Sequence, residues 1–536
     1  MEMFFFTLFY ILFTNVRCEL FTSLATMEHG LKAEQNMADK IREYITKEKE
    51  RLQTLQRLAD SFDEHSRLGL KNPNAYLGNP INAFLFVKKF TIDWEKNVEE
   101  SIKHKQTQVT TEFNTQLDRL RIKLPDEEDL TGSVQAILRL QDMYDIPAKQ
   151  IAEGSIGGLN TGELNADACF ELGRIAYEDG DYYHGFHWMA IAKERLDKET
   201  NKTTDMTEIL DYMAWTAHEL GNDKLALELT EELLNLVPDH VRAQNNKIDF
   251  MEKVKKASNV TKSRVTRDLT NTTHYVPKPT PEYNSTPELQ SYKRLCKGLD
   301  VKPREKMSQV VCRYRHNNNP RLLLSPVKEE EVYRDANMVL FHDIASDKEM
   351  KIIRSLAIPK LFRATVHDPT TGKLIHAKYR ITKTAWLDDR DHLVVDRVQN
   401  RIKAVTGLDL DSADALQVAN YGIGGHYDPH YDFSTRDDDD TSETEKRDGN
   451  RIATFLLYMT DVDAGGATVF PIIDVRVLPK KGTAVFWYNL RRSGKGIMET
   501  RHAACPVLVG TKWVSNKWIR TRGQEFRRPC GLTEDE

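Results

Sequence analysis

Long apolar runs are missing after the first twenty residues of this 536-residue chain, so the sequence predicts no membrane-spanning helix in the mature protein. A strong excess of one charge is missing too, because 76 Lys and Arg residues stand against 81 Asp and Glu residues. This balance argues against binding to nucleic acid or anionic lipid through bulk charge. With 40% hydrophobic and 29% charged residues, packed cores are expected, in about three or four domains.

Cysteine is scarce, with six residues in the whole chain. The first, Cys18, follows a short apolar run at residues 4–13, FFFTLFYILF. That run is too short to span a membrane and is typical of a signal peptide, although no Lys or Arg precedes it. Val16 and Cys18 are small residues at the −3 and −1 positions, so we predict a signal peptide over 1–18 and a mature chain beginning near Glu19. A buried N-terminal helix is the alternative.

Five cysteines remain after that cleavage, and an odd number leaves at least one thiol unpaired. In an oxidising compartment we expect two disulfides, Cys296–Cys312 and Cys505–Cys530, with Cys169 buried in a helix. Five reduced thiols are the alternative, which such a compartment disfavours. The chain ends in CGLTEDE instead of a KDEL-type retention signal, so secretion or retention by a partner is expected.

Four N-x-[ST] sequons support a secretory route and are predicted glycosylation sites: Asn201, Asn259, Asn271 and Asn284. Three of them fall within 259–286, a polar stretch that is also rich in proline. Glycosylation needs accessible loops, so this clustering is more informative than a lone sequon. We therefore predict a glycosylated linker and a cysteine-bracketed segment over 256–330.

Residues 19–125 are predicted to form a helical N-terminal domain. Apolar residues recur there at three- and four-residue steps among charges: Ile41, Tyr44, Ile45, Leu52, Leu55, Leu58 and Phe62. Such a stripe suits a helix hairpin or a coiled-coil partner, so this region is a candidate for self-association. Packing of the stripe within its own domain is equally compatible with the pattern.

A weak internal repeat occupies 163–255. Each copy has a small-residue helix, a turn at Gly180 or Gly221 and a second helix, and the turns lie 41 residues apart. The pattern resembles a tetratricopeptide pair, whose usual period is about 34 residues. These repeats build concave grooves, and this one is rich in aromatic residues: Tyr177, Tyr182, Tyr183, Trp188, Tyr212 and Trp215. We predict a groove for a polyproline II peptide, unless these rings form the repeat's own core.

Residues 331–536 change character, with strand-like runs such as RIATFLLYM and KWVSNKWI separated by Gly, Pro and Asp. They predict an antiparallel β domain preceded by some helix, which makes the whole chain multi-domain α+β. The acidic stretch 435–450 is predicted to be a solvated loop, since it lacks the ligand spacing of a calcium site.

Two His-x-Asp pairs lie in this β domain, His426–Asp428 and His430–Asp432, and His502 follows later. Residues two apart on a strand point the same way, so either pair could offer a nitrogen and a carboxylate to one metal ion. Together with a distant His, this is the 2-His-1-carboxylate set that holds Fe(II) and leaves a face open. The spacing alone leaves the choice between the two pairs open.

Lys512 follows His502 by ten residues. If 512–518 is extended, Lys512 shares one face with Asn516 and Trp518. Its ammonium would then pair with the far carboxylate of a dicarboxylic co-substrate. The alternatives, a structural zinc site or ordinary polar strand residues, would leave an inward-facing cation without a partner, which is costly.

Three long runs carry a family resemblance: NRIATFLLYMTDVDAGGATVFP, PKKGTAVFWYNL and TRHAACPVLVGTKWVSNKWIRTRGQEFRRPC. They resemble the catalytic α subunit of collagen prolyl 4-hydroxylases, and the likeness extends over nearly the whole chain. It implies a double-stranded β-helix (jelly roll) over 331–536 that uses Fe(II), 2-oxoglutarate, O₂ and L-ascorbate. The implied reaction hydroxylates proline at C4 in X-Pro-Gly repeats of procollagen and converts 2-oxoglutarate to succinate and CO₂.

The resemblance also implies residue roles. In the family pattern the metal ligands fall on His430, Asp432 and His502. The implied 2-oxoglutarate contacts are Lys512, Tyr421 and Thr468, and those that hold the peptide near iron are Tyr427, Arg451 and Trp518. The implied groove positions are Tyr177, Tyr212, Arg242 and Asn246, while Trp215 and Asp249 depart from the family pattern.

The family further implies a partner, protein disulfide isomerase, which would hold the chain in the endoplasmic reticulum lumen as an α₂β₂ tetramer or αβ dimer. Two other functions stay open. One is a different secretory-pathway hydroxylase, acting on lysine or on non-collagen prolines, although lysyl hydroxylases use Arg where Lys512 stands here. The other is a non-catalytic helical-repeat scaffold.

Overall fold

The computed structural model describes residues 23–71, 127–160, 163–260, 286–299, 310–334, 336–367, 374–435 and 443–533. The predicted signal peptide and the sequons at Asn271 and Asn284 lie outside these ranges. Asn201 is exposed, as a glycosylation site requires, and Asn259 lies near the end of a helix. No helix within the described residues combines the length and the apolar character that crossing a membrane requires.

One compact unit contains the long helix α1 (Leu24–Gly69). Its 46 residues confirm the helical prediction for this part of the N-terminal region. Ile41, Ile45 and Leu52 of the predicted apolar stripe are exposed on this helix. Self-association through the stripe stays a prediction.

The second unit begins with a helical layer. Its elements are α2 (Glu127–Tyr144), α3 (Ala148–Ala152), β1 (Ser155–Ile156), β2 (Leu159–Asn160), α4 (Ala166–Glu178), α5 (Tyr182–Lys198), α6 (Met206–Glu219), α7 (Asp223–Leu236) and α8 (Val241–Val260). Helices α4 to α7 form the two predicted helix pairs, and Gly180 and Gly221 make their turns with φ of 80° and 79°. Side-chain caps begin α4 to α7, for example Asp181 accepting from the backbone N–H of His184. The tetratricopeptide-like prediction is therefore confirmed.

The β domain follows. Its helices are α9 (Pro287–Cys296), α10 (Pro320–Leu324), α11 (Asp347–Ala357), α12 (Leu393–Thr406) and α13 (Glu443–Asp448). Its strands are β3 (Cys312–Arg315), β4 (Val327–Tyr333), β5 (Met338–His342), β6 (Phe362–Arg363), β7 (Val366–His367), β8 (Leu374–Ile375), β9 (Arg380–Ile381), β10 (Lys383–Leu387), β11 (Leu416–Tyr421), β12 (His426–His430), β13 (Arg451–Tyr458), β14 (Ala464–Gly465), β15 (Thr468–Phe470), β16 (Val475–Val477), β17 (Ala484–Tyr488), β18 (His502–Ala504), β19 (Val507–Val509) and β20 (Lys512–Arg520).

Two antiparallel sheets dominate this domain. The larger has the order β3-β4-β5-β17-β13-β20-β11-β10-β6, and the smaller has the order β16-β15-β18-β12-β9. Strand β20 lies inside the larger sheet, and all nine of its residues are buried. Helix α11 packs on β10 and β11, so one face of that sheet is covered by helix. The arrangement agrees with the predicted jelly roll.

Helix α2 also packs against the β domain. Arg139 Nη1 donates to the Gly424 carbonyl at 2.9 Å, and Tyr144 donates to the Pro506 carbonyl at 2.6 Å. Gly424 has φ +68°, and a Cβ there would lie 2.6 Å from Ala136 Cβ, so only glycine allows this close approach. Helix α2 thereby fixes the position of the loop that precedes β12.

The predicted disulfides are wrong. The structure joins Cys296 at the end of α9 to Cys505 after β18, with the Cα atoms 5.6 Å apart. Both cysteines belong to one buried cluster with Tyr292 and Val469, whereas Cys312 and Cys530 are exposed and unpaired thiols. Helix α9 packs against the small sheet, and this brings Cys296 to Cys505 although 209 residues separate them in sequence. Cys169 is a buried free thiol in α4, as predicted.

We expect Cys505→Ala to destabilise the β domain by about 2–5 kcal/mol, the usual loss when a native disulfide is removed. Thermal unfolding of the full chain measures this, with Cys312→Ser as the control that leaves the midpoint unchanged. Peptide mapping without reductant should link the Cys296 and Cys505 fragments. A Cys296–Cys312 fragment instead would contradict the pairing.

Candidate metal centre and active site

Three metal-ligand side chains converge where two inner strands of the small sheet, β12 and β18, lie end to start. His430 ends β12, His502 begins β18 opposite it in register, and Asp432 follows two residues after His430. The ligand atoms of the three lie within 4.8 Å of one another. His430 Nε2 is 3.7 Å from Asp432 Oδ1, and His502 Nε2 is 3.6 Å from Asp432 Oδ2. Two imidazoles and one carboxylate can therefore take the same ion.

The two imidazoles are oriented by backbone carbonyls. His430 Nδ1 bonds the Asp428 carbonyl at 2.8 Å, and His502 Nδ1 bonds the Thr500 carbonyl at 2.9 Å. A carbonyl only accepts, so each Nδ1 carries the proton and each Nε2 presents a lone pair to the centre. This is the usual outer arrangement of metal-bound histidines.

Protonation at the site suits a divalent ion. Burial and the neighbouring His502 lower the pKa of His430 to about 3, so its imidazole is neutral at physiological pH. Burial alone would raise the pKa of Asp432, but His502, His430 and other nearby groups hold it below its usual value. Thr454 also donates to Asp432 Oδ2 at 2.7 Å. The residues present therefore fit Fe(II).

The rival pair His426–Asp428 lies apart from this cluster. Among the described residues, the grouping of His430, Asp432 and His502 alone has metal-ligand geometry. His426 is buried, and desolvation together with Arg139 keeps its pKa well below the usual value. A register irregularity between Tyr427 and His430 interrupts the alternation that would otherwise place both pairs on one face.

A cavity opens from the metal site toward the larger sheet. Most of the predicted cofactor and peptide residues line it: Tyr421, Thr468, Lys512, Tyr427 and Trp518. Arg451 is not among the lining residues, but its guanidinium lies 4.0 Å from the Trp518 ring centre and pairs with Asp414. The structure therefore brings these residues together, with Arg451 supporting Trp518 from outside the lining.

Lys512 places a buried amino group in this cavity. It is 1% exposed, and desolvation lowers its pKa to about 7. Its Nζ lies 5.3 Å from the Tyr421 ring centre and 5.9 Å from that of Tyr458. Within the described part of the chain, no carboxylate lies within salt-bridge distance of it. A lone buried ammonium is costly unless an anion binds there, so the cavity suits an acidic ligand.

Three contributors were not predicted from the sequence. Tyr458 donates to Thr468 Oγ1 at 2.8 Å, and Thr454 bonds Asp432. Arg380 lies over the Tyr427 ring at 4.7 Å and also lines the cavity. The first two could have been found, because alternate residues of RIATFLLYM share one face of β13. Arg380 comes from a two-residue strand whose position only the tertiary structure defines.

The predicted groove residues lie on three neighbouring helices. Tyr177 of α4 and Tyr212 of α6 are half-buried, and their rings meet edge to face at 5.0 Å. Arg242 of α8 pairs with Asp211 and lies 5.6 Å from the Trp215 ring centre. Trp188, by contrast, is fully buried and belongs to the core.

The last groove positions belong to α8. Asn246 is half-buried on this helix. Asp249 is exposed and pairs with Lys253, which also contacts His218 Nε2 at 3.0 Å. A charged network therefore occupies the end of the groove where the family pattern has an aromatic residue.

Comparison with protein-family models gives three matches along the chain. They are the prolyl 4-hydroxylase alpha-subunit N-terminal region at 23–158, the prolyl 4-hydroxylase peptide-substrate-binding domain at 166–256 and the 2OG-Fe(II) oxygenase superfamily at 416–520. Their order matches that of the helical, repeat and β regions described above. The third match contains all three residues of the metal cluster and Lys512.

Curated relatives and a solved structure also match. Prolyl 4-hydroxylase subunit alpha-1 of Homo sapiens is 42% identical over 96% of both chains, and that of Gallus gallus is 43% identical over 97% of this chain and 100% of its own. The structure of viral collagen prolyl hydroxylase from Paramecium Bursaria Chlorella virus-1 is 28% identical over 34% of this chain and 94% of its own, with a TM-score of 0.28. By its sequence identity to the curated relatives over nearly its whole length, the chain belongs to the prolyl 4-hydroxylase α-subunit family.

Proposed function

We propose that this chain hydroxylates proline at C4 in X-Pro-Gly repeats of procollagen, coupled to oxidative decarboxylation of 2-oxoglutarate to succinate and CO₂. The observation that carries the proposal is the cavity that joins the His430, Asp432 and His502 cluster to the buried Lys512 ammonium. A metal centre at one end and a cation at the other match a 2-oxo acid with a second carboxylate.

Fe(II) and 2-oxoglutarate are the cofactors of this oxygenase domain. His430, Asp432 and His502 would hold the ion, and the bound Fe(II) supplies the O₂ chemistry, with ascorbate keeping it reduced. Lys512 would bind the distal carboxylate of 2-oxoglutarate, and that carboxylate would keep the ammonium charged. Thr468 and Tyr421 would donate hydrogen bonds to the co-substrate, and Tyr458 holds Thr468 in place.

The peptide is proposed to enter across Tyr427, Trp518 and Arg451. Aromatic faces suit proline rings, which stack on them with little loss of conformational entropy. A separate groove at Tyr177, Tyr212, Arg242 and Asn246 would hold another stretch of the same long chain. Tethering one stretch raises the local concentration of the next prolines at the active site.

The deciding experiment is anaerobic binding of Fe(II) and 2-oxoglutarate, followed by turnover of a Pro-Pro-Gly repeat peptide with and without protein disulfide isomerase. We expect succinate and 4-hydroxyproline in equal amounts. Mass spectrometry should also compare X-Pro-Gly with X-Lys-Gly peptides, and hydroxylysine as the only product would overturn the proposal. Absence of any 2-oxoglutarate turnover would instead favour the non-catalytic scaffold.

Assembly belongs to the same proposal. We propose that protein disulfide isomerase is the partner and that the complex works in the endoplasmic reticulum lumen, as the resemblance to collagen prolyl 4-hydroxylases implies. The exposed stripe of Ile41, Ile45 and Leu52 on α1 supports contact between two α subunits. Co-expression followed by light scattering distinguishes an αβ dimer from an α₂β₂ tetramer.

We expect Tyr177→Ala to raise the KM of a ten-repeat peptide about tenfold, since it removes half of the Tyr177–Tyr212 aromatic pair. The KM of a three-repeat peptide, which we propose binds at the active site alone, should stay unchanged. Tyr183→Ala is the control, because Tyr183 contacts His184 and His187 outside this pair. Equal effects on long and short peptides would argue against a separate groove.

A further inference from the structure

One amide in the wall of the cavity, Asn516, pairs with a second amide, Gln417, that does not itself line the cavity. Gln417 of β11 pairs directly with Asn516 of β20, and opposite residues of neighbouring strands share one face of a sheet. Both side chains are buried, at 3% and 8% exposure. Asn516 lines the cavity together with the metal cluster, Lys512 and Trp518. The proposed function above leaves this pair without a role.

Arg380 determines which way the two amides point. Its Nη2 donates to Gln417 Oε1 at 3.2 Å, and a guanidinium has no acceptor atom. Asn516 Nδ2 donates to the same oxygen at 3.5 Å. The Asn516 amide is therefore oriented with its Oδ1 away from Gln417. That oxygen is buried and finds no hydrogen-bond partner among the described residues.

A second buried polar atom beside it also lacks a partner in the described residues. Trp518 Nε1 is a donor, two residues further along the same face of β20. Buried polar groups are almost always hydrogen-bonded, so an unpaired acceptor next to an unpaired donor in a substrate cavity points to a ligand that offers both. A peptide backbone is such a ligand.

In a proline-rich peptide, the Asn516 acceptor and the Trp518 donor differ in how many backbone positions can bond them. Every residue has a carbonyl, so the Trp518 donor can bond any register of the peptide. Proline has no N–H, so in a Pro-Pro-Gly triplet the glycine supplies the one backbone donor. The Asn516 acceptor can therefore distinguish peptide registers by the position of the glycine, whereas the Trp518 donor cannot.

We propose that Asn516 Oδ1 accepts the backbone N–H of the residue after the target proline, with Gln417 and Arg380 as the residues that position it. This contact selects the proline that precedes glycine and rejects the one that precedes another proline, because the latter would leave the acceptor unpaired. The inference rests on the proposed prolyl hydroxylation and deepens it by naming the residue that sets the register.

The first test uses the full-length wild-type chain with its partner and two peptides. One contains Pro-Pro-Gly, and the other replaces that glycine by glycolic acid, so that an ester oxygen takes the place of the N–H. We expect kcat/KM for the ester peptide to be about tenfold lower, as expected when a buried acceptor is left unpaired. Equal values would overturn the inference, while failure to turn over either peptide would overturn the proposed function instead.

The second test assigns the effect to the residue. Asn516→Leu should remove the amide-to-ester difference, whereas Asn516→Asp keeps an acceptor of the same shape and should retain it. Mass spectrometry should show hydroxylation at the first proline of the triplet rising about tenfold relative to the second in Asn516→Leu. Gln417→Leu removes the acceptor that orients the Asn516 amide. It should therefore also lower the ratio of kcat/KM for the amide peptide to kcat/KM for the ester peptide, as Asn516→Leu does.

An Asn516→Leu protein that retains the full ester effect and the wild-type register would contradict the proposal. If that variant does not fold, Asn516→Ala tests the same point with a smaller side chain. The ratio between two peptides is measured on each protein by itself, so a general loss of activity leaves it unchanged. A merely structural role for Asn516 would therefore not alter it.

Discussion

His430→Ala should lower succinate release more than about a hundredfold, since loss of even an outer-shell partner of a metal ligand costs ten- to hundredfold. The variant removes one of three ligands and leaves Asp432 and His502. His426 lies outside the cluster, so its imidazole cannot replace the lost ligand. Anaerobic titration with Fe(II) in the presence of 2-oxoglutarate measures the loss of metal affinity directly. Succinate release measures its effect on turnover.

His426→Ala is the matched control for that variant. It removes an imidazole four residues away on the same strand, outside the metal cluster. We expect the Fe(II) affinity to stay within about threefold of wild type. His426 is buried beside Arg139, so the variant should reduce stability by the few kcal/mol typical of a core change. The reverse result would move the metal ligands to His426 and Asp428.

Lys512→Met should raise the KM for 2-oxoglutarate at least about thirtyfold and leave the peptide KM nearly unchanged. Truncating one partner of a buried charge pair costs at least about 2 kcal/mol, mostly because the other charge is left unpaired. In the free protein the variant removes a buried amino group that is 1% exposed and replaces it by an apolar side chain, so its unfolding temperature should not fall. Equal changes in both KM values would refute the assigned role.

The same lysine predicts a pH dependence. In the free protein the pKa of Lys512 is lowered to about 7 by burial, so at pH 8 most molecules carry a neutral amine. A dianionic ligand favours the ammonium, so its binding must raise this pKa and take up a proton. The affinity for 2-oxoglutarate should therefore be constant below pH 6 and fall toward tenfold per pH unit above pH 8.

Calorimetry in buffers of different ionisation enthalpy measures this uptake, which should approach one proton per site at pH 8 and vanish at pH 6. Lys512→Arg is the control, because a guanidinium keeps its charge over the whole range and should remove the uptake. A wild-type protein that takes up no proton at pH 8 would show that Lys512 is already charged when empty.

The strongest sequence predictions came from periodic patterns. Three- and four-residue apolar steps predicted α1, and the paired helices around Gly180 and Gly221 followed from the repeat. Alternation along 512–518 placed Lys512, Asn516 and Trp518 on one face, and the cavity has all three in its wall. The spacing of apolar and polar residues along a helix or strand is a local property, so the sequence alone is sufficient to detect it.

Contacts between distant segments were predicted less well. The choice between two His-x-Asp pairs depended on an irregularity of β12 that strand spacing cannot reveal. Cys505 forms a disulfide with Cys296, 209 residues away in sequence, because α9 packs against the small sheet. Arg380 comes to the site from a two-residue strand that is too short for a periodic pattern to predict.

From its sequence alone, the chain is determined to be a multi-domain protein with a helical repeat, a β domain and the residue types of an Fe(II) and 2-oxoglutarate site. The tertiary structure decided which cysteines pair and which way the Asn516 amide points, and it brings together the two histidines that the family pattern indicates. The reason is physical. Side-chain chemistry and strand alternation are encoded locally, whereas the orientation of an amide or the partner of a thiol depends on atoms brought together only by packing of the sheets and helices.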